Sequence, residues 1–168
     1  MLEFFSASTR MVNSRRAMAE CLEAALGEGT TDCDLVVIHA SMGHDYAALI
    51  AEAKALAPSA RIVGSSCCGV VGKEGVSESM KDLAIMAVRG AAEIAVASVD
   101  GIYGHNSYQK SAELAAQLKA ANPGVNMIYF LGSGIDIADD RCIAGIESVF
   151  GPEVTIFGAP SADNMKGI

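Results

Sequence analysis

Tryptophan is missing from this 168-residue chain, and aromatic residues make up only 5% of it. A core built without them has to come from aliphatics, Met and a few Phe and Tyr. Long apolar runs are missing as well. No stretch approaches the roughly 20 residues that a membrane-spanning helix needs. The start, Met1-Leu-Glu-Phe-Phe, carries an acid where a signal peptide carries basic residues. A cytoplasmic location is therefore expected. A basic patch is missing too: 12 Lys and Arg stand against 20 Asp and Glu, for a formal net charge of −8. The close basic pair Arg15-Arg16 falls in a predicted helix and reads as an ordinary solvated face. An acidic surface repels phosphate backbones, so nucleic acid is not an expected partner.

The five Cys are odd in number and show neither the paired spacing of a zinc site nor that of a secreted disulfide framework. Reduced thiols follow. Nucleotide fingerprints are also absent: there is no Gly-x-Gly-x-x-Gly and no phosphate-binding loop ending in Gly-Lys-Ser/Thr. No Gly-x-Ser-x-Gly nucleophile elbow occurs, and no His pair or Cys-x-x-Cys-His attachment signal points to a metal or haem. The chain is expected not to be an enzyme.

What is present is small and aliphatic. Hydrophobic residues reach 51% of the chain, led by Ala, Val and Ile, with 17 Gly beside them. That mixture suits closely packed α/β layers, and the length suits one domain, 1–168, with a sizeable core. Leu2–Ala7 reads as a first strand. Asn13 N-caps a helix to Leu26, with Ala17, Met18, Cys21, Leu22, Ala25 and Leu26 at helical spacing and Gly27 as its stop. Leu35–Ala40 is a continuous apolar run, as in a strand covered on both faces. Asp45 caps a helix to Leu56, and Ala60–Gly64 is the next strand. This β-α-β-α-β opening favours parallel strands.

The pattern then changes. Asp82–Val88 and Glu93–Val99 flank Arg89-Gly-Ala-Ala and predict an antiparallel hairpin. The polar stretch Gly72–Met80 predicts a mobile loop. Ser107 is expected to cap a helix to Ala121, ended by Asn122-Pro-Gly. Met127–Leu131 is a strand, Asp139 or Asp140 opens a helix to Phe150, and Val154–Phe157 is the last strand. The fold class is α/β with a mixed sheet. Because the last loop should lead into more structure, the chain is expected to be the front part of a longer protein.

Two small-residue loops stand at strand ends, Gly64-Ser-Ser-Cys-Cys-Gly69 and Gly158-Ala-Pro-Ser-Ala-Asp-Asn164. Such loops let a ligand approach backbone N–H groups that no side chain shields, and their recurrence points to a shared site. A third, Gly132-Ser-Gly-Ile-Asp136, follows the Met127–Leu131 strand.

The arrangement resembles the N-terminal half of the FIST domain, a sensory domain of bacterial signalling proteins that also occurs in some F-box proteins. The first loop is similar to the family's Gly-Cys-Ser-Thr-Ala-Gly-like signature, and Phe157-Gly-Ala-Pro-Ser-Ala-Asp163 to its Phe-Gly-Gly-x-Ala-x-Asp-like stretch. Ser41-Met-Gly-His-Asp45 is similar to a looser Ser-x-x-His-Asp-like segment. The chain departs from the family pattern where the usual loop Cys is Ser65 and the usual Thr-Ala is Cys67-Cys68. The resemblance implies a sensor of small molecules, amino acids or related metabolites among them. It also implies a FIST C-terminal half as a partner, and regulation of a histidine kinase, chemoreceptor or cyclic-dinucleotide enzyme. Some members are described as haem-binding nitric-oxide sensors.

The leading expectation is a sensory module that contacts a metabolite through Gly64, Ser65, Ser66, Cys67, Cys68 and Gly69 at one loop. Gly158, Ser161, Asp163 and Asn164 would contribute at the other. The alternatives are a haem-binding gas or redox sensor, with His44 as the ligand to a haem or metal, and a non-catalytic interaction module. At each position a plainer account stands beside the functional one. The first loop is an anion-binding concavity or a turn needed for packing. Cys67 and Cys68 are a redox pair or small space-filling thiols, with Lys73 the nearest charge. Asp163 and Asn164 bond a ligand or shape a turn. Asp136, Asp139 and Asp140 hold a hard cation or complement a helix start.

Overall fold

A computed structural model describes residues 1–30, 32–72, 75–90 and 93–162. Two compact units emerge, Met1–Ala92 with Ala162, and Glu93–Ser161.

In the first unit, β1 (Glu3–Thr9), α1 (Ser14–Leu26), β2 (Leu35–Ala40), α2 (Tyr46–Leu56) and β3 (Arg61–Ser66) follow one another as the sequence pattern predicts. They are followed by the short strands β4 (Val70–Gly72) and β5 (Gly75–Ser77), and then β6 (Leu83–Arg89). The four-stranded sheet has the order β1-β6-β2-β3. β2 and β3 are parallel, with Val37 opposite Val63 and His39 opposite Ser65. β6 runs antiparallel to both β1 and β2. β1, β2 and β3 therefore share one direction, and their carboxyl ends lie at one edge together with the start of β6. The mixed α/β sheet is as expected.

Both helices in this unit start on side chains that accept a backbone N–H. Asn13 Oδ1 accepts from Arg16 N at 3.0 Å, and Asp45 Oδ1 accepts from Ala48 N at 3.0 Å. Each satisfies a donor that the helix itself leaves unpaired. Alternate strand residues face the helices: Val36, Ile38 and Ala40 from β2, and Leu83, Ile85 and Ala87 from β6. They pack with Ala17, Met18, Cys21 and Leu22 of α1 and Leu49 and Ala53 of α2. Val37, pointing to the other face, is fully buried too, as the unbroken apolar run of β2 predicts.

Three expectations move. The strand Asp82–Val88 does not fold back on Glu93–Val99; residues 93–100 carry no strand. β6 instead inserts between β1 and β2, where it gains two hydrogen-bonded neighbours rather than the single one a hairpin offers. The antiparallel hairpin falls earlier, at β4 and β5, with Val71 opposite Val76. Of the stretch read as a mobile loop, Gly75–Ser77 forms β5, and Ser77 and Ser79 are fastened to Asp82.

The second unit contains α3 (Ser107–Ala121), β7 (Met127–Gly132), α4 (Asp139–Phe150) and β8 (Thr155–Pro160). β7 and β8 pair in parallel, with Tyr129 stacked on its register partner Phe157. Ala115, Ile128 and Ile146 form the small core with Phe130, Phe150 and Ile156 around them. Ser107 is not the cap of α3, because Asn106 holds that position without a side-chain cap bond. The Ser107 hydroxyl instead donates to Tyr103 O and accepts from Ala138 N. Asp139 and Asp140 sit in the first turn of α4, where negative charge complements the helix dipole. Among the described residues no helix is long and apolar enough to cross a membrane.

Candidate functional site at the carboxyl edge of the first sheet

The parallel direction of β1, β2 and β3 brings their outgoing segments to one edge, the usual place for ligands in sheets of this kind. The segments there are tied together by backbone bonds. Ser41 N donates to Asp82 O at 2.9 Å, Gly43 N to Met80 O at 2.8 Å and Cys67 N to Ala40 O at 3.1 Å. Ala162 N donates to Ser66 O at 3.1 Å. Lys81 Nζ donates to Gly43 O. The Asp82 carboxylate, fully buried, accepts from Ser77 Oγ at 2.7 Å and Ser79 N at 2.6 Å.

The first Gly loop is shaped by packing at both ends. A Cβ at Gly64 would strike Ile38 O of β2, and one at Gly69 would lie 2.6 Å from Ser77 O of β5. Only glycine permits either approach. Between them, Ser65 belongs to β3, where its hydroxyl lies 3.0 Å from His39 Nδ1. Burial pushes the His39 pKa down, which favours the neutral ring. Ser66 closes β3 and receives the Ala162 bond.

Cys67 is half-buried and Cys68 exposed, whereas Cys21, Cys33 and Cys142 are buried. The Ser41 hydroxyl is fully buried, has no partner of full hydrogen-bond geometry among the described residues, and lies against the Cys67 sulfur. Burial pushes the Cys67 thiol up from its ordinary value of 9.0, and the Gly69 N–H and Ser41 hydroxyl oppose that rise.

His44 is only 6% exposed and has both ring nitrogens engaged. Nδ1 lies 3.2 Å from Ser14 Oγ, and Nε2 lies 2.9 Å from Lys81 O. Burial is the main cause of its lowered pKa. The ring locks the segment after β2 to the start of α1 and to the turn before β6. His39 is bonded across the strands, and His105 is exposed and stacked on Tyr103 at 5.8 Å. A haem or metal at His44 would have to displace either the Ser14 hydroxyl or the Lys81 carbonyl from its ring. Among the described residues no three His, Cys, Asp or Glu side chains converge as a metal site, so Asp136, Asp139 and Asp140 do not form a cage.

The sequence pattern did not reveal a cavity of about 270 Å³ at this same edge. One wall is Ser8, Thr9 and Arg10, where β1 ends, with Glu20 of α1; the other is Val70, Gly75, Val76 and Ser77 of the hairpin, with Asp82. Thr9 Oγ1 donates to Glu20 Oε1 at 2.7 Å. Arg10 has no hydrogen-bond or ion-pair partner among the described residues. The signal in the sequence was Ser8-Thr9-Arg10 at a strand end. It carries no glycine, so a search for Gly loops passes over it.

Of the expected contact residues, Gly64 to Gly69 stand beside this cavity in the chain, immediately before Val70, and are not among its walls. Gly158 and Ser161 belong to the second unit. There Gly158, with a positive φ of 140°, lies against Phe130 O, and Ser161 Oγ accepts from Gly134 N at 3.2 Å. Asp163 and Asn164 lie outside the described residues.

No curated protein matches the chain. Residues 34–167 match the FIST N domain, which takes in β2 through β8 and every Gly loop discussed above. With that span covering most of its length, the chain belongs to the FIST family, whose domain serves in sensory signal transduction.

Proposed function

We propose that this chain is the ligand-receiving part of a signalling protein. It takes a small polar metabolite at the carboxyl edge of the first sheet and has no catalytic chemistry of its own. The observation that carries the reading is the exposed Arg10 guanidinium, with no protein partner among the described residues, in the wall of a cavity that also carries Glu20. A cation without a partner in a concave wall is set up for an anionic group. Acids and hydroxyls on the facing surfaces suit an ammonium or hydroxyl group on the same molecule. At about 30 Å³ per water, the cavity has the volume of roughly nine waters, the scale of an amino acid or a small hydroxy acid.

The hairpin supplies the route to a partner. β4 and β5 line the cavity while exposing Val71 at 81% and Val76 at 75%. A ligand that binds one hairpin position more tightly shifts the population between positions and changes the surface a kinase, chemoreceptor, cyclic-dinucleotide enzyme or FIST C-terminal half meets.

The test is a thermal-stability scan of refolded protein against amino acids and organic acids, repeated with Arg10→Ala and Glu20→Gln. A saturable rise in Tm that Arg10→Ala abolishes is the expected result, since selective binding stabilises the native state. A series with no stabilising compound, or one in which Arg10→Ala binds like the parent, removes the site.

A further inference from the structure

We infer that Cys67 and Cys68 form a reversible dithiol/disulfide site, a redox-modified position at the turn between β3 and the hairpin. This is independent of the metabolite reading. Three observations carry it. Of the five thiols, these two reach the surface while the other three are buried. They are sequence neighbours in a turn pinned on both sides, by Cys67 N to Ala40 O and by Gly69 against Ser77 O. The buried Ser41 hydroxyl, without a partner of full hydrogen-bond geometry among the described residues, lies beside the Cys67 sulfur.

The chemistry balances with a small disulfide such as glutathione disulfide as oxidant. The exposed Cys68 thiolate attacks one sulfur of that disulfide, forming a mixed disulfide and expelling a glutathione thiolate. Cys67 then gives up its proton to solvent, and its thiolate attacks Cys68 Sγ. The second glutathione leaves and the Cys67–Cys68 bond closes. Two electrons pass to glutathione, and the two cysteine protons end on its thiols. Burial of Cys67 makes the second step the slower one, and Ser41 with the Gly69 N–H favours the thiolate it requires.

Adjacent Cα atoms lie about 3.8 Å apart, closer than the 4.4–6.8 Å of ordinary disulfides. The bond is therefore strained and easily reduced, which suits a switch and not a structural staple. Closing it reorients the 67–68 peptide. Gly69 abuts β5 and Val70 begins β4, so that movement is delivered to the hairpin.

The experiment exposes the purified chain to glutathione disulfide, quenches with acid, alkylates and digests with trypsin. The peptide Ile62–Lys73 contains both thiols and no other Cys. Expected is this peptide unalkylated and two hydrogens lighter, and restored to double alkylation by dithiothreitol. Cys67→Ser should stall as a glutathione adduct on Cys68, and Cys68→Ser should yield no internal disulfide. A wild-type peptide that stays fully alkylatable overturns the proposal. So does a lasting glutathione adduct on Cys68, or a crosslink from either thiol to another cysteine. The wild-type result decides the matter even if a variant misfolds.

Discussion

His39 and Ser65 face each other across the parallel β2–β3 pair, with Nδ1 3.0 Å from Oγ. The bond fastens the strand that precedes the Cys67-Cys68 turn to the central strand of the sheet. Burial of the His39 ring also ties fold stability to pH. His39 and His44 both have pKa values lowered from 6.5 by burial. The unfolded chain therefore binds protons first as pH falls. Stability is fully present above about 6.5 and declines as pH drops below it toward the folded-state values. Urea midpoints should fall between about pH 7.5 and pH 5.5. His39→Asn, which cannot titrate there, should flatten part of that slope; an unchanged slope would show that His39 does not contribute.

Asp82 anchors the turn before β6 through Ser77 Oγ and Ser79 N. Asp82→Ala leaves both donors short of an acceptor inside the fold, and a loss of about 2–3 kcal/mol is expected. Asp82→Asn, which retains one acceptor oxygen, should lose less. Chemical denaturation of the three proteins gives the order directly, and a neutral Asp82→Ala would contradict the anchoring role.

In the second unit, α3 and α4 meet at Gly145, where a Cβ would run into Tyr108 O. Gly145→Ala should destabilise by about 1–3 kcal/mol, because backbone cannot yield as a flexible side chain can. Thermal melts followed by circular dichroism test this, and a wild-type Tm for the variant would refute it.

The helix starts provide a contrast. Asn13→Ala removes a side-chain cap bond and should cost about 1 kcal/mol. Asn106→Ala removes no such cap, since its Oδ1 accepts from Tyr103 N and its Nδ2 donates to Gly101 O. Replacing Asn106 should therefore loosen the 101–106 turn while leaving the helix content of α3 unchanged. Hydrogen exchange separates the two effects: protection should fall at Arg16 N in the first variant and at Tyr103 N in the second.

Much of the architecture was legible because it is local. The 3.6-residue spacing of Ala17, Met18, Cys21 and Leu22, the caps at Asn13 and Asp45, and the apolar run of β2 place their elements within a residue or two. Gly64 was also identifiable as a position of special backbone demand, and the close approach of Ile38 O is one source of it. Strand partners were not legible in the same way. Asp82–Val88 and Glu93–Val99 both read as strands, and proximity favoured a hairpin between them. The sheet resolved it otherwise because β6 could satisfy both of its edges only between β1 and β2. The cavity was hidden for a related reason. Arg10, Glu20, Ser77 and Asp82 are far apart in sequence and ordinary one by one. By itself the sequence determined the α/β class, the helices, the caps of α1 and α2, and the family. Only the tertiary structure decided the order of the strands, the engagement of His44, the pairing of His39 with Ser65, and the polar cavity. Each of these depends on contacts between distant residues, and no local propensity encodes them.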